Sequence, residues 1–275
     1  MLSDVVTLLR CPHCGGELQL EQQQLRCEQG HSFDVARQGY VNLLPRRPAT
    51  GTGDSATMVQ ARASFLGRGH YQPFATALAA AMAQVPLDEP VAEIGAGTAY
   101  YLAHALEERR GPGLAADVST YAARRAARAH QRIGSVVADA WTRLPLADGC
   151  LGGAMVAFAP RSGGELARVV AAGGRLVVLV PAPEHLVELR TALSLIAVDP
   201  RKQERLEESL GGDFELVERR ALRWSATFDH ADVTDLVLMG PNARHQGESL
   251  HEQVAGLASA FRVTVSGVVH VLQRR

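Results

Sequence analysis

The sequence predicts an α/β protein, in which an open and mostly parallel sheet with helices on both faces follows a small metal-binding unit. Two observations support this prediction. From Pro90 onward, short apolar segments such as VAEIG, SVVADA and RLVVLVP alternate with helical segments rich in alanine and arginine. Before that region, three of the four cysteines in the 275-residue chain lie at or before Cys27. The last strand-like segments have no clear helical segments between them, so we expect an antiparallel C-terminal edge.

Composition and charge are those of an ordinary globular protein, with 47% hydrophobic residues, 21% charged residues and a formal net charge of −1. This balance argues against a protein that coats nucleic acid nonspecifically, but it allows a local basic face. No apolar run approaches the roughly 20 residues that span a bilayer. The first residues, MLSDVVTLLR, also lack the basic segment and cleavage site of a signal peptide. We therefore expect a cytoplasmic protein with no membrane partner.

The first unit contains a pattern of metal ligands. Cys11 and Cys14 form a C-x-x-C pair, and Cys27 and His31 form a C-x-x-x-H pair. Three thiolates and one imidazole suit tetrahedral zinc, and four protein ligands leave no open coordination position. We therefore expect a structural zinc ion. The alternative is that the cysteines are free thiols in a protein core.

We divide the chain into three parts. Residues 1–38 form the zinc-binding unit, which we expect to recognise RNA, and residues 39–75 form a linker and a connecting helix. Residues 76–275 form the α/β domain. The linker is predicted from a stretch rich in proline, glycine and threonine, which also contains Arg46 and Arg47.

The segment VAEIGAGTAYYLA contains the main indication of a nucleotide-like ligand. Gly95 and Gly97 follow a strand directly, where the missing side chains let the backbone approach a ligand. Glu93 is a carboxylate at the end of that strand. Asp117 ends the next strand, about 20 residues after the turn, where a carboxylate can bind ribose hydroxyls.

The third strand and the turn itself narrow the choice of cofactor. Asp139 and Ala140 end the third strand, where a side chain and a backbone amide can bind an adenine edge. A dinucleotide would favour a third glycine in the turn, but Thr98 and Tyr100 follow Gly97 instead. An acidic residue before the turn also suits a cationic amino-acid ligand better than a pyrophosphate. We therefore favour S-adenosylmethionine over NAD, and the alternative is that the glycines serve packing alone.

Several sequence words occur in a fixed order between Cys11 and Leu189. They are CPHC…C…GH.FD.A..GYVNLLP, GDSA.M.QAR..FL..GHYQP, IGAGTAYYL, DVS, RLP, AP…ELARVV..GG and P.HL.EL. In these words the chain resembles the RlmA family of 23S rRNA guanine-N1-methyltransferases, which includes a tylosin-resistance enzyme. GYVNLLP and GHYQP are the most specific, because neither is a general feature of methyltransferases. The resemblance covers about the first two thirds of the chain.

The resemblance implies zinc at the four ligands named above and a homodimer. It also implies S-adenosylmethionine contacts at Tyr71, Gly97, Thr98 and His185. Composition and spacing do not single out Tyr71 or His185. Ala99 stands where family members often have glycine, and we expect its methyl group to narrow the approach to the methionine end of the cofactor.

Together these patterns predict a Rossmann-like S-adenosylmethionine-dependent methyltransferase domain behind a zinc-binding unit. The implied reaction is methylation of guanine N1 at a hairpin-loop nucleotide of 23S rRNA, with macrolide resistance as one implied role. Because N1 lies on the pairing edge, the target base must be unpaired or flipped out. Pro160 and Arg161, in the segment FAPRSG, are predicted to line the acceptor pocket. Arg46 and Arg47 are predicted to contact the RNA.

The proton that leaves guanine N1 needs an acceptor, and His70 and Asp139 are candidates between which the sequence does not decide.

Two other functions stay open. The chain could methylate a small molecule or a protein, with the zinc-binding unit docking a partner. It could also bind S-adenosylmethionine or RNA without catalysis.

Overall fold

The structure is a computed structural model that describes residues 1–45, 53–197, 199, 201–244 and 249–275. It contains a three-stranded sheet near the N-terminus and an eight-stranded sheet that organises the rest of the described chain. Arg46 and Arg47, which are predicted RNA contacts, lie outside the described residues.

The small sheet contains the spacer between the two pairs of predicted metal ligands. A short helix, α1 (Leu2–Val5), and a 3-10 turn precede it. The three strands β1 (Gln19–Glu21), β2 (Gln24–Arg26) and β3 (Ser32–Asp34) pair antiparallel. In the spacer, the apolar Leu25 points into the core, and polar neighbours stay at the surface.

The large sheet contains the alternating apolar segments of the sequence. Its strands are, in chain order, β4 (Tyr40–Asn42), β5 (Val91–Ile94), β6 (Gly113–Asp117), β7 (Ile133–Val137), β8 (Leu151–Ala157), β9 (Val170–Pro181), β10 (Phe214–Phe228) and β11 (Phe261–Arg274). β5, β7 and β8 are buried along their whole length, which is expected of parallel strands covered on both faces.

Helices connect these strands and cover the sheet. They are α2 (Ala56–Gly67), α3 (Gln72–Met82), α4 (Tyr100–Leu106), α5 (Thr120–Ala126), α6 (Gly163–Val169), α7 (Val187–Ala192), α8 (Lys202–Leu210), α9 (His230–Leu238) and α10 (Leu250–Ala255). Among the described residues, no helix is long and apolar enough to cross a membrane.

The strand order of the large sheet is β10-β11-β9-β8-β5-β6-β7-β4. The strands from β4 to β9 run parallel, whereas β11 runs antiparallel to both β9 and β10. The predicted antiparallel C-terminal edge is therefore confirmed. The chain leaves β5 towards β6 on one side and later returns to β8 on the other. Such a switch point, at the carboxyl ends of the central strands, is where open α/β sheets bind ligands.

The two faces of the sheet are covered by different parts of the chain. On one face, α2, α3 and α4 contribute apolar side chains to a buried core, among them Phe65, Phe74 and Leu102. On the other face, Leu18 and Leu25 of the zinc-binding unit share a core with the α6 and α8 side chains. The zinc-binding unit therefore has no separate core and is packed directly on the sheet.

β4 shows that the segment after the zinc-binding unit contributes to the large sheet. Tyr40–Asn42 pairs in parallel with β7, and the Leu43 amide donates a hydrogen bond to Val137 O at 3.0 Å. Residues 39–75, predicted as a linker and connecting helix, thus include an edge strand, α2 and the start of α3. The division of the chain into three parts stays a prediction.

One buried cation holds the connection between α3 and β5. Arg109 is only 3% exposed. Its guanidinium donates hydrogen bonds of 2.7–3.0 Å to the carbonyl oxygens of Met82, Val85, Pro86 and Glu89. Because these carbonyls lie on one irregular segment, a single side chain fixes the path of the chain into the central strand.

We expect Arg109→Lys to lower the free energy of unfolding by about 2–4 kcal/mol, because a lysine ammonium cannot replace the planar fork that serves four carbonyls. The neighbouring Arg110→Lys is a matched control. Arg110 pairs with Asp88 at the surface, so its change should leave the urea midpoint near the wild-type value. Urea denaturation of the three proteins measures both effects, and equal midpoints would contradict this role of Arg109.

Candidate functional site

The predicted metal ligands converge beside the small sheet. The ligand atoms of Cys11, Cys14, Cys27 and His31 all lie within 4.8 Å of one another. Cys14 Sγ lies 3.7 Å from Cys27 Sγ, and His31 Nδ1 lies 3.6 Å from Cys11 Sγ. Sulfur and nitrogen ligands arranged tetrahedrally around one zinc ion lie roughly 3.5–3.8 Å apart. The donor set therefore fits zinc, and its four protein ligands match a structural site.

Tight turns bring each pair of metal ligands together. The Gly15 amide donates to Cys11 O at 2.8 Å, and the Gly30 amide donates to Cys27 O at 2.9 Å. His13, between the first two ligands, is exposed and stacks on Phe33 outside the cluster. Cys150, the fourth cysteine, is half-buried and takes no part in the cluster.

At the carboxyl edge of the large sheet, the turn between β5 and α4 presents backbone rather than side chains. Gly95 and Gly97 have φ angles of +71° and +53°, which disfavour any residue with a Cβ. A Cβ on Gly95 would overlap Ala159, and one on Gly97 would lie 2.7 Å from Arg62 Nη1. The backbone conformation thus favours glycine at both positions, and space favours it at Gly95 as well. Ala99 is also left-handed, but its side chain is buried in the core.

Asp117, at the end of β6, is tied to this turn. Its Oδ2 accepts a hydrogen bond from the Gly97 amide at 2.7 Å, and its Oδ1 accepts one from the Ser119 amide at 2.8 Å. Burial raises the pKa of Asp117, and the two amide hydrogen bonds oppose that effect. A carboxylate offers about four lone-pair positions. Two are used by the protein, so the group can still accept hydrogen bonds from ligand hydroxyls.

Glu93 lies deeper than the sequence suggested. Its side chain is 1% exposed, and its Oε2 accepts a hydrogen bond from the Leu102 amide at 3.0 Å. The carboxyl group therefore satisfies one of the free amides in the first turn of α4. Burial raises the pKa of Glu93 to about 8. Its contact in the structure is with the helix rather than with open space.

Arg62, on α2, lies in the candidate site, although the sequence pattern does not single it out. Its Nη2 lies 2.7 Å from Asp54 Oδ2 and donates to Met239 O at 2.7 Å, while its guanidinium packs against Gly97. Asp54 is held in turn, because its carbonyl oxygen accepts a hydrogen bond from Ser119 Oγ at 2.7 Å. A cation paired with a carboxylate thus lies directly over the glycine turn. In the sequence, Arg62 is marked only by its place in the family-like segment GDSA.M.QAR. Neither its residue type nor its spacing indicates a binding site.

Tyr71 and His185, which only the family resemblance singled out, are in contact. Both are buried, and the Tyr71 hydroxyl lies 3.1 Å from His185 Nε2. His185 Nδ1 accepts a hydrogen bond from the Ser266 amide, so the proton of the neutral ring is assigned to Nε2. Nε2 then donates to the Tyr71 hydroxyl. Burial raises the pKa of Tyr71, so the phenol keeps its own proton and can donate it to a ligand.

The segment FAPRSG follows β8 at the same edge of the sheet. Phe158 has a φ of +53°, which is uncommon for a residue with a side chain and which marks a strained position. Its ring stacks on His185 with a centroid distance of 5.8 Å. Pro160 is exposed and lies beside the Gly95 position, and Arg161 is partly buried, which lowers its pKa. The segment therefore joins the Tyr71–His185 pair to the glycine turn.

The residues after β7 form a short turn. Asp139 Oδ1 accepts a hydrogen bond from the Trp141 amide at 2.9 Å, and Ala140 is half-buried. The Trp141 side chain is 68% exposed. The structure thus shows Asp139 shaping its own loop, and its predicted contact with adenine stays a prediction.

His70, a predicted candidate for accepting the proton, is part of an ionic group beside α9. Its Nε2 lies 2.8 Å from Asp232 Oδ1, and Asp232 also pairs with Arg68 at 2.5 Å. The His70 ring packs against Phe228. It lines a cavity of about 640 Å³ with Trp224 and other residues of α3 and β10.

Comparisons with known proteins support both the metal-binding unit and the α/β domain. The family model for the N-terminal zinc ribbon of RlmA matches residues 9–48. The 23S rRNA (guanine(748)-N(1))-methyltransferase of Streptomyces fradiae is 46% identical over 273 residues, which are 97% of this chain and 96% of the relative. A protein of Micromonospora griseorubida, named as a 23S rRNA (guanine-N(1)-)-methyltransferase, is 45% identical over 287 residues and 97% of each chain.

A solved structure supports the fold. A geranyl diphosphate methyltransferase in complex with SAM has a TM-score of 0.50 at 12% identity, and the match covers 82% of this chain and 93% of that chain. At that identity the similarity shows the fold alone. The predicted Rossmann-like domain and the predicted zinc-binding unit are both confirmed.

We expect the purified chain to contain about one zinc ion and Cys14→Ser to lose it. Because Leu18 and Leu25 share a core with the large sheet, the melting temperature of the whole chain should fall by roughly 5–10 °C. Cys150→Ser is the control and should keep the metal. Elemental analysis and thermal denaturation measure these effects, and stoichiometric zinc in Cys14→Ser would rule out this ligand set.

Proposed function

The chain belongs to the RlmA family of 23S rRNA guanine-N1-methyltransferases, and from that premise we propose that it methylates N1 of a guanine in a hairpin loop of 23S rRNA, with S-adenosylmethionine as the methyl donor. The single observation that supports this best is the carboxyl edge of the sheet. There the Gly97 amide donates a hydrogen bond to the Asp117 carboxylate, and the Arg62 guanidinium packs against Gly97.

S-adenosylmethionine supplies a methyl group that its sulfonium makes labile. In this proposal Asp117 binds the ribose hydroxyls through the lone pairs that Gly97 and Ser119 leave available. Asp139 and Ala140 hold the adenine edge at the end of β7. We make these assignments because the carboxyl ends of the adjacent parallel strands β6 and β7 lie at one edge of the sheet, where open α/β sheets bind ligands.

The methionine end of the cofactor has a carboxylate and an ammonium group. We assign the carboxylate to Arg62, whose present partner is the Asp54 carboxylate. Gly97 and Thr98 supply backbone that the cofactor can approach closely. Gly95 has no side chain and so leaves space in the turn beside Pro160. In this proposal the ammonium group lies near Glu93 and lowers the raised pKa of its carboxyl group, so the bound cofactor favours the charged form.

Tyr71 and His185 complete the methionine end. Because His185 donates to the Tyr71 hydroxyl, the phenolic proton is directed towards a ligand and not towards the histidine. Phe158 packs against both rings and fixes them. The three residues thus form a rigid wall that orients the cofactor and excludes water.

The methyl acceptor approaches from the FAPRSG segment. In an in-line displacement the bond from carbon to sulfur breaks as the bond from carbon to guanine N1 forms, and the proton on N1 leaves to an acceptor. Pro160 and Arg161 form the wall of the acceptor pocket in this proposal. His70 is engaged by Asp232, and Asp139 is engaged by the Trp141 amide, so we assign the proton to neither.

The wider setting follows from the substrate. Ribosomal RNA is a cytoplasmic substrate, so we propose a cytoplasmic location, and the family resemblance supports a homodimer. Methylation of 23S rRNA by a relative of a tylosin-resistance enzyme also supports a role in macrolide resistance. Arg46 and Arg47 remain proposed RNA contacts.

Cofactor binding tests the assigned residues. We expect Asp117→Ala to weaken binding of S-adenosylhomocysteine at least tenfold, because hydrogen bonds to a charged group contribute roughly 1.5–3 kcal/mol each. Arg62→Gln should weaken it by a similar factor. Arg68→Gln is a matched control, since Arg68 follows the same helix but pairs with Asp232 and Asp235. Calorimetry that gives all four proteins the same affinity would refute this placement of the cofactor.

Methyl transfer tests the reaction. We expect incubation with S-adenosylmethionine and unmodified 23S rRNA to create one new primer-extension stop at a loop guanine, because N1 methylation blocks pairing. Asp117→Ala should reduce the stop at least tenfold under subsaturating cofactor. A labelled methyl group that enters a protein or a small molecule, with no stop in the RNA, would favour the alternative functions instead.

A further inference from the structure

Positive charge is distributed unevenly along this chain. The segment from Ser119 to Ser135 contains four arginines and no aspartate or glutamate. The zinc-binding unit, residues 1–38, contains three arginines and five acidic residues. Three zinc-bound thiolates would add further negative charge there. The unit that the sequence predicts to recognise RNA is therefore not the basic part of the described protein.

Three of the four arginines of the basic segment lie on α5 or in the turn that follows it. Tyr121, Arg124 and Arg125 follow the spacing i, i+3 and i+4, which places them on one side of α5, and Arg128 lies in the turn directly after the helix. All four are exposed, whereas the helix alanines Ala122, Ala123 and Ala126 are buried. We call these four residues the α5 face. Tyr121 is 52% exposed, so its ring is accessible to a partner.

The arginines of the α5 face are not engaged in ion pairs. Within the described parts of the chain, Arg124, Arg125 and Arg128 form no ion pair, whereas Arg62 and Arg168 each bind a carboxylate at 2.7 Å. An arginine fork whose donors face solvent matches the geometry of phosphate oxygens.

The α5 face begins at the candidate site. α5 follows β6, whose last residue is Asp117, and its first turn is capped by Ser119, which also binds Asp54. Arg125 lines a cleft of about 240 Å³ with Thr98 of the glycine turn and with Glu107. The face is therefore continuous with the edge of the sheet at which the methyl group would be transferred.

We propose that the α5 face is the surface that binds the phosphate backbone of the substrate RNA hairpin, with Tyr121 stacking on an unpaired loop base. This inference rests on the proposed function and adds the RNA surface to it. Exposed arginines supply phosphate contacts with no base preference, and an exposed ring offers a stacking partner for a splayed base. The zinc-binding unit lies against the opposite face of the same sheet and contributes shape instead of positive charge.

The sheet offers a matched control for this surface. Arg219, Arg220 and Arg223 are three exposed arginines on β10, the edge strand at the other end of the large sheet. Six strand spacings separate β10 from β7, which is roughly 30 Å. The two triple variants, with glutamine at each position, therefore remove the same formal charge from opposite ends of the molecule.

The experiment measures binding of a transcript of the rRNA hairpin at several salt concentrations, together with affinity for S-adenosylhomocysteine. With Arg124, Arg125 and Arg128 all changed to glutamine, the slope of log affinity against log salt should fall by about two units, since each phosphate contact contributes roughly 0.7–0.9. The β10 triple variant should keep the wild-type slope. Unchanged affinity for S-adenosylhomocysteine shows that both variants are folded.

Tyr121→Ala separates stacking from charge. It should weaken hairpin binding about tenfold at every salt concentration and leave the slope unchanged, because stacking involves no phosphate. The RNA KM of the α5 triple variant should rise at least tenfold while kcat stays near the wild-type value, since no residue of the face contacts the reacting atoms.

The outcomes distinguish this inference from the proposed function. Wild-type methylation of the hairpin together with an unchanged slope in the α5 triple variant would overturn the inference and leave the proposed function intact. RNA binding without methylation by the wild-type chain would overturn the proposed function. The salt slope of the α5 triple variant would then still show whether the α5 face binds the RNA. A wild-type chain that does not bind the hairpin would overturn the inference.

Discussion

The hydrogen bond from the Gly97 amide to the Asp117 carboxylate is the contact on which the candidate site depends. It joins the turn after β5 to the end of β6, at the point where the sheet changes the direction of its winding. Gly97 makes this bond from a left-handed backbone, and Arg62 packs where a Cβ would lie. The bond also explains why a carboxylate at the end of β6 is partly satisfied before any ligand binds. Helix α2, the glycine turn and the second parallel strand are therefore positioned relative to one another by a few polar contacts.

Residues whose roles follow from strand ends or from close spacing could be predicted from the sequence. Gly95 and Gly97 follow β5 and Asp117 ends β6, so a parallel sheet must bring them to one edge. The four metal ligands lie in two short pairs. Contacts between distant segments could not be predicted this way. Arg62 meets Met239 across 177 positions, and Tyr71 meets His185 across 114. Such pairs depend on how the α2 and α3 helices pack over the sheet, which no local pattern encodes. The edge strand β4 has three residues, too few to show a periodic signal.

The zinc-binding unit and the α5 face lie on opposite faces of the large sheet and differ in charge. Leu18 and Leu25 pack into the sheet core, so the metal stabilises a unit whose position on the large domain is set by apolar packing. The unit itself has slightly more acidic than basic residues. The arginines of α5 lie on the other face and lead to Asp117 and the glycine turn. A molecule of near-zero net charge can in this way present one strongly basic face, which is what a selective RNA enzyme needs and a nonspecific nucleic-acid-coating protein does not.

The central claim is that the glycine turn, Asp117 and Arg62 form a cradle for S-adenosylmethionine, and that the Asp54 carboxylate occupies the place of the cofactor carboxylate. A crystal structure of the chain with S-adenosylhomocysteine tests this most directly. It should show the ribose hydroxyls on Asp117 and the amino-acid carboxylate on Arg62, with Asp54 displaced from its present 2.7 Å contact. A ligand bound away from this edge, or a ribose bound there with the contact between Arg62 and Asp54 unchanged, would contradict the claim.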